Sequence, residues 1–344
     1  LTATLSTPKS VGIRKFLILW PLFFFICGGL GYPSLRRFDP RVTAGLSDTI
    51  KYYAITTGED QSGFREIMRC RVLVPYVARP FYWFAQSHFP AWDPVFFGLL
   101  VSASIFCATT ACFIVSLGVK VFGDLSLGLL GALLYLLNFA VSNLQLAGMV
   151  DAGEACFMAA LVWSLINDKW WLLPLWGLFG AAAKETFMPF SSMFALTWWL
   201  IEYRRNKGRS GAFIWVIALA LVGLGVALGI RAAVVGQFRW PWQFAEQLKN
   251  EVGFFAALRR CFTQSSFWYV FGWLLPLGLI RLKAFPKSWV VAAAVTSILA
   301  LTLGVYIDSG GNFGRAVFNI SGPLLSLSVA ALISGKRPSL QLKS

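Results

Sequence analysis

Asp48, Lys51 and Tyr52 stand at spacings of three and four in a stretch, Gly45 to Ile55, that reads as a short helix with Ser47 as its N-cap and Gly58 as its stop. Those spacings put a carboxylate, an ammonium and a phenol on one helix face, and the helix dipole favours the ionised carboxylate. The plainer reading, that Asp48 only caps the helix, stands beside it. Arg65, Arg69, Arg71 and Arg79 crowd the approach to an apolar, proline-containing segment, Val72 to His88, expected to lie along the outer membrane surface. Guanidinium groups there suit phosphate, which they grip in bidentate fashion, or lipid headgroups. Asp151 with Glu154, Lys184 with Glu185, and Asp308 with Arg315 fall at the ends of apolar segments. Ionisable groups at that depth are costly and face partners or a cavity, which makes Lys184-Glu185 a candidate for function. His88 is the only histidine and reads as structural, which excludes His-rich metal sites. No pattern assigns metal ligands or a cofactor, and a divalent metal is left open.

The elements that must position these residues are apolar helices. The 344 residues are 57% hydrophobic and 13% charged, where soluble domains carry roughly 25% charged residues. Apolar runs approach the ~20 residues a helix needs to cross a bilayer, and none alternates as a barrel strand would. The fold class is therefore all-α and polytopic, one transmembrane domain over residues 1–344. About ten spans are expected near 16–32, 94–117, 125–142, 154–167, 170–184, 186–202, 212–235, 265–281, 288–307 and 316–334. The first reads as an anchor and not a cleaved leader, because Pro33, Ser34 and Leu35 lead straight into Arg36 and Arg37 with no small-residue cleavage site.

Charge selects this count. With a break at Ala183-Lys184-Glu185, the inner segments take half of the 30 basic residues but only Asp124, Asp168 and Glu202 among the acids. Fusing residues 170–202 into one helix would put the basic patches near 204–209, 281–287 and 336–343 outside. The positive-inside bias places both termini in the cytoplasm. It also accounts for the net charge of +15 without nucleic-acid binding, since no separate basic domain exists. Two long outer loops remain, 33–93 with short amphipathic helices and 236–264 with Arg239-Trp240-Pro241-Trp242 as an interface anchor. Cys70 and Cys261 are the two cysteines in outer loops, and a bridge between them is open.

In order and character the chain resembles the C-type glycosyltransferase superfamily, multi-spanning enzymes, and within it bacterial members that use polyprenyl-phosphate sugars. The resemblance runs through a first span, a long outer loop with Asp48, Lys51-Tyr52-Tyr53 and Gly58-Glu59, then Arg71-Val72-Leu73-Val74-Pro75. It continues with Ala183-Lys184-Glu185-Thr186 between two short spans and Gly314-Arg315 entering the last. The family often shows paired acids in the first loop, where this chain has Ser47-Asp48, so metal dependence is not implied. No large outer domain is expected after the last span.

The resemblance implies an enzyme of the bacterial plasma membrane that moves a sugar from a polyprenyl-phosphate donor to an acceptor hydroxyl on the outer face. Asp48 would be the catalytic base or orienting group, and Arg71, Lys184, Glu185, Arg315 and Tyr52 would bind substrate. The lipid-linked sugar and the bilayer are its partners. Two other classes fit the same composition: a transporter or flippase of lipid-linked sugars, and a membrane subunit without chemistry. Against transport, the sequence shows no inverted repeat and few Gly- or Pro-broken helices.

Overall fold

The structure is a computed structural model that describes residues 13–37, 48–59, 63, 66–205, 207–236, 238, 253–307 and 313–336. Ser47, Arg65, residues 239–242 and Asp308 lie outside the described residues, as do Lys9, Arg337 and Lys343. Among the described residues the regular structure is helical, without a strand. The helices are α1 (Ile13–Arg37), α2 (Thr49–Thr57), α3 (Glu66–Arg69), α4 (Leu73–His88), α5 (Pro94–Phe122), α6 (Leu125–Leu136), α7 (Asp151–Ile166) and α8 (Leu173–Ala183). There follow α9 (Phe187–Arg205), α10 (Phe213–Val235), α11 (Phe254–Thr263), α12 (Ser265–Phe271), α13 (Leu274–Ile280), α14 (Lys287–Ile307) and α15 (Phe313–Ile333).

Five of these are long and apolar enough to cross a membrane: Phe16–Arg37, Pro94–Phe122, Ser210–Val235, Lys287–Val305 and Gly314–Ile333. A sixth arises if Leu125–Leu136 and Ala140–Ala147, bent 46° at their junction, count as one span. The other expected spans also fall on helices, but short or interrupted ones: 16 residues in α7, 11 in α8, and 7 each in α12 and α13. α9 has 19 residues, but Glu202, Arg204 and Arg205 close it.

Both interruptions meet at Asn138. Its amide Nδ2 donates to Val270 O at 3.0 Å, and its Oδ1 accepts from Ala140 N at 2.9 Å. A side chain inserted into the backbone ladder ends α6 and starts the π and 3-10 turns that follow, Ala140–Leu144 and Gln145–Ala147. Nothing in the apolar composition forecasts this, because the partner carbonyl is 132 residues away.

α5 and α15 form the centre. In each, 78% of the most apolar stretch is buried, against 17% in α1 and α10, which are apolar all round and line the periphery. Asp93 starts α5 by accepting from Phe96 N at 2.7 Å, with Pro94 in the first turn, and Gly123 ends it at φ 70°. Asp124 then caps α6 through Ser126 N at 2.8 Å. The two central helices run the same way. α5 begins where Asp93 receives the Tyr53 hydroxyl, and α15 begins at Arg315, beside Asp48. Both end where Lys336 meets Asp124.

All six cysteines are free thiols, Cys70 half-buried and Cys261 buried within α11, so the open question of a bridge between them is answered against it. Burial pushes the Cys70 thiol up to about 11.

Candidate functional site

The short helix α2 is pinned at both ends. The Thr49 hydroxyl donates to Ala147 O at 3.0 Å, against the turn where Gly148 adopts φ 82°; an added Cβ there would be strained and would press within 3.2 Å of Thr49 Cγ2. At its other end Gly58, at φ 84°, closes the helix as expected, with its N–H on Ala54 O at 2.9 Å, and Arg79 Nη2 donates to Ile55 O at 2.8 Å.

Asp48 precedes the first helical residue and so holds the N-cap position instead of lying one residue inside the first turn. Its side chain makes no capping hydrogen bond. It accepts from Lys51 Nζ at 2.7 Å through Oδ1, and its Oδ2 lies 3.9 Å from Arg315 Nη2. That distance is an ion pair and not a hydrogen bond, so Oδ2 can still accept a proton donor. The capping reading of Asp48 is thereby set aside on geometry.

Arg71 grips Glu185 with two parallel bonds, Nε to Oε2 at 2.9 Å and Nη2 to Oε1 at 2.5 Å. Its Nη1 donates to the hydroxyl of Tyr52, which is fully buried, at 3.0 Å. Burial alone would drive the Arg71 charge off, but the Glu185 carboxylate outweighs it and holds the guanidinium protonated. Burial would likewise raise the Glu185 carboxyl, and the Arg71 charge brings it below its ordinary value. Burial raises the Tyr52 phenol.

Lys184, in the connection between α8 and α9, donates to Asp151 Oδ1 at 2.8 Å and Glu154 Oε2 at 2.9 Å. Gly153 makes the approach feasible, since a Cβ on it would meet Val74 Cγ2 at 2.8 Å and Ala183 Cβ at 3.0 Å. Asp151 Oδ2 faces Arg315 Nη1 at 3.4 Å. Glu154 also accepts from Thr186 Oγ1 at 2.5 Å and from Asn319 Nδ2 at 2.8 Å, and Asn319 Oδ1 accepts from Gln145 Nε2 at 3.0 Å.

One polar cluster therefore gathers Asp48, Tyr52, Arg71, Lys184, Glu185 and Arg315, contributed by segments as far apart as α2 and α15. Asp151, Glu154, Thr186, Asn319 and Gln145 complete it. The two acids were legible as charges opening a helix; Asn319 and Gln145 carry no signal of their own in an apolar sequence. Arg69 lies apart from this cluster, donating to Val234 O at 3.1 Å, and His88 is exposed and stacked on Phe84. Among the described residues no group of three or more His, Cys, Asp or Glu is arranged to hold a metal. Compared with known protein families, with curated proteins and with solved structures, the chain shows no match.

The cations differ in what they are free to do. Arg71 and Lys184 are saturated by carboxylates at 2.5 to 2.9 Å. Among the described residues Arg315 has only the contacts of 3.4 and 3.9 Å, so it is the cation of the three that an incoming anion can recruit at least cost.

Proposed function

We propose that this chain is a membrane glycosyltransferase that moves a sugar from a polyprenyl-phosphate donor to an acceptor hydroxyl at the end of the bundle that carries Asp48. One observation supports this above the rest: a carboxylate with an open oxygen, Asp48 Oδ2, lies 3.9 Å from a loosely held guanidinium, Arg315. The acceptor hydroxyl gives its proton to Asp48, or is aligned by it, as its oxygen bonds to the anomeric carbon. The bond from that carbon to the phosphate oxygen breaks, and Arg315, with Lys51 beside Asp48, stabilises the charge on the departing lipid phosphate. Arg71–Glu185 and Lys184 with Asp151 and Glu154 hold the frame in which these groups stand, a narrower task than direct substrate contact. In this reading the chain crosses the bacterial plasma membrane ten times with both termini in the cytoplasm, and residues 33–93 form the outer loop that presents Asp48.

The test is Asp48→Asn, assayed as sugar transfer from a polyprenyl-phosphate donor by purified protein beside its thermal midpoint. Asn keeps the size and removes the proton acceptor, and because the Asp48 side chain makes no cap bond, stability should hold. A loss of about a hundredfold or more in turnover is expected. A stable variant with near-native turnover would sink the assignment.

A second reading, transport of a lipid-linked sugar, is favoured by the two broken helices joined at Asn138, since discontinuous helices beside buried charge are common in transporters. Movement of a labelled lipid-linked sugar across a vesicle bilayer, with no transferred product, would select it.

A further inference from the structure

At the opposite end of the bundle a groove of about 160 Å³ opens between α1, α5 and α7. Phe16 and Leu19 form one wall, Phe113 and Ser116 the floor, and Trp163 the other wall. Two indole hydrogen bonds fix its width: Trp20 Nε1 donates to Thr109 Oγ1 at 3.0 Å, tying α1 to α5, and Trp163 Nε1 donates to Ser116 Oγ at 3.0 Å, tying α7 to α5. Thr109, Phe113 and Ser116 recur at helical spacing, so both ties and the floor lie on one face of α5. The second tie engages the Ser116 hydroxyl, leaving a lining that offers a guest mainly apolar contact.

The next residue on that face is Lys120, one turn beyond Ser116 and two from the end of α5. Across the groove, Lys169 Nζ sits 4.8 Å from the centre of the Trp163 ring. The acids that neighbour them in sequence are engaged. Asp124 caps α6 and receives Lys336, and Asp168 has a partner of its own. An apolar trough with Lys120 further along its floor helix and Lys169 over its Trp163 wall is complementary to one kind of molecule, an acyl chain ending in an anionic phosphate headgroup.

We infer that this groove is a binding site for an anionic phospholipid of the leaflet at the Asp124 end, its acyl chain between α1 and α7 on α5 and its phosphate between Lys120 and Lys169. The site needs only that the chain spans a bilayer, and it is independent of the transferase reading. It also gives α1, with 17% of its apolar stretch buried, a second means of attachment.

Native mass spectrometry on delipidated protein tests it, with phosphatidylglycerol and phosphatidylcholine of identical chains added in turn. Phosphatidylglycerol should be retained in preference. Each of Lys120→Gln and Lys169→Gln should lower that preference by up to about fivefold, the effect of one lysine at an anionic surface. Leu19→Trp, which fills the trough, should lower retention of both lipids. Equal retention of the two headgroups by the wild-type protein, or an unchanged preference in the double Gln variant, would overturn the site. Sugar transfer by the double Gln variant should remain native, so a failure here leaves the transferase reading standing.

Discussion

At one end of the bundle Asp48, Arg71, Asp151, Lys184 and Arg315 are withdrawn from the surface and hold one another; at the other, Lys336 reaches Asp124 with 55% of its side chain in the open. The same residue types are used under opposite physical conditions. A buried charge has lost its water, so it needs partners of the right number and geometry, and removing one leaves another stranded. An exposed charge keeps its water and interacts weakly with any neighbour. Charge at the Asp124 end can orient the chain in a membrane with little precision, whereas charge at the Asp48 end has to be placed to within a bond length.

The sharpest way to break this contrast is Lys184→Met. It would strand Asp151 and Glu154 together, and we expect a destabilisation of about 3–5 kcal/mol in reversible unfolding from mixed micelles. Adding Glu154→Gln should restore part of it, and a loss below about 1 kcal/mol would show that the buried end tolerates imbalance as the open end does.

Arg315→Gln comes next and separates stability from chemistry. When Arg315 is removed, Asp151 keeps Lys184 and Asp48 keeps Lys51, so the midpoint should move much less than in Lys184→Met. On the proposed transferase reading, transfer should fall by about tenfold to a hundredfold, because a charge on the departing phosphate loses its counterion. Loss of fold instead of loss of turnover would put Arg315 with the framework.

Glu185→Gln should cost about 1–3 kcal/mol at neutral pH by leaving the buried Arg71 half-paired. Here pH gives a sign. The folded Glu185 carboxyl lies below its ordinary value, so its contribution is fully present above that value and is lost as pH falls through the lower, folded one. The gap between wild type and variant should therefore persist from pH 7 to about pH 5 and close only in stronger acid. Thermal midpoints measured across that range decide it.

The smallest effects belong to the Asp124 end. Lys336→Gln should change stability by about 0–1 kcal/mol, and Asp124→Ala by about 0.5–2 kcal/mol, the latter chiefly through the lost helix cap. If Lys336→Gln matched Lys184→Met, the distinction between the two ends would fail.

How much of this was readable beforehand follows from the range of each interaction. Each expected span coincides with helix because an apolar run and its flanking charges are local properties. Gly58 and the break at Lys184-Glu185 were legible for the same reason. The interruptions at 138–147 and 272–273 were not, since Asn138 bends its helix through a carbonyl brought by the fold. Asp48, Arg71, Lys184 and Arg315 could be chosen one by one as charges out of place in an apolar chain. Which acid holds which cation could not, because these pairs span from 30 residues, Glu154 to Lys184, up to 315 − 48 = 267, Asp48 to Arg315, and spacing carries no trace of them. Arg71 and Tyr52 were expected at substrate, and spacing gave no sign that Arg71 would donate to Tyr52 and to Glu185.

The separations within the cluster also set an order of manufacture. A chain inserted from its N-terminus delivers Asp151 and Glu154 first, as acids without counterions. Lys184 follows 33 residues after Asp151 and can neutralise them while α7 and α8 are still settling. Arg315 arrives 164 residues after Asp151, on α15. Until α15 docks, Asp151 Oδ2 and Asp48 Oδ2 both lack their shared guanidinium, and the site cannot be assembled on a partly made protein. Completion of the cluster is thus a report that synthesis has reached α15, and a chain stalled short of it would lack the guanidinium that Asp48 and Asp151 share.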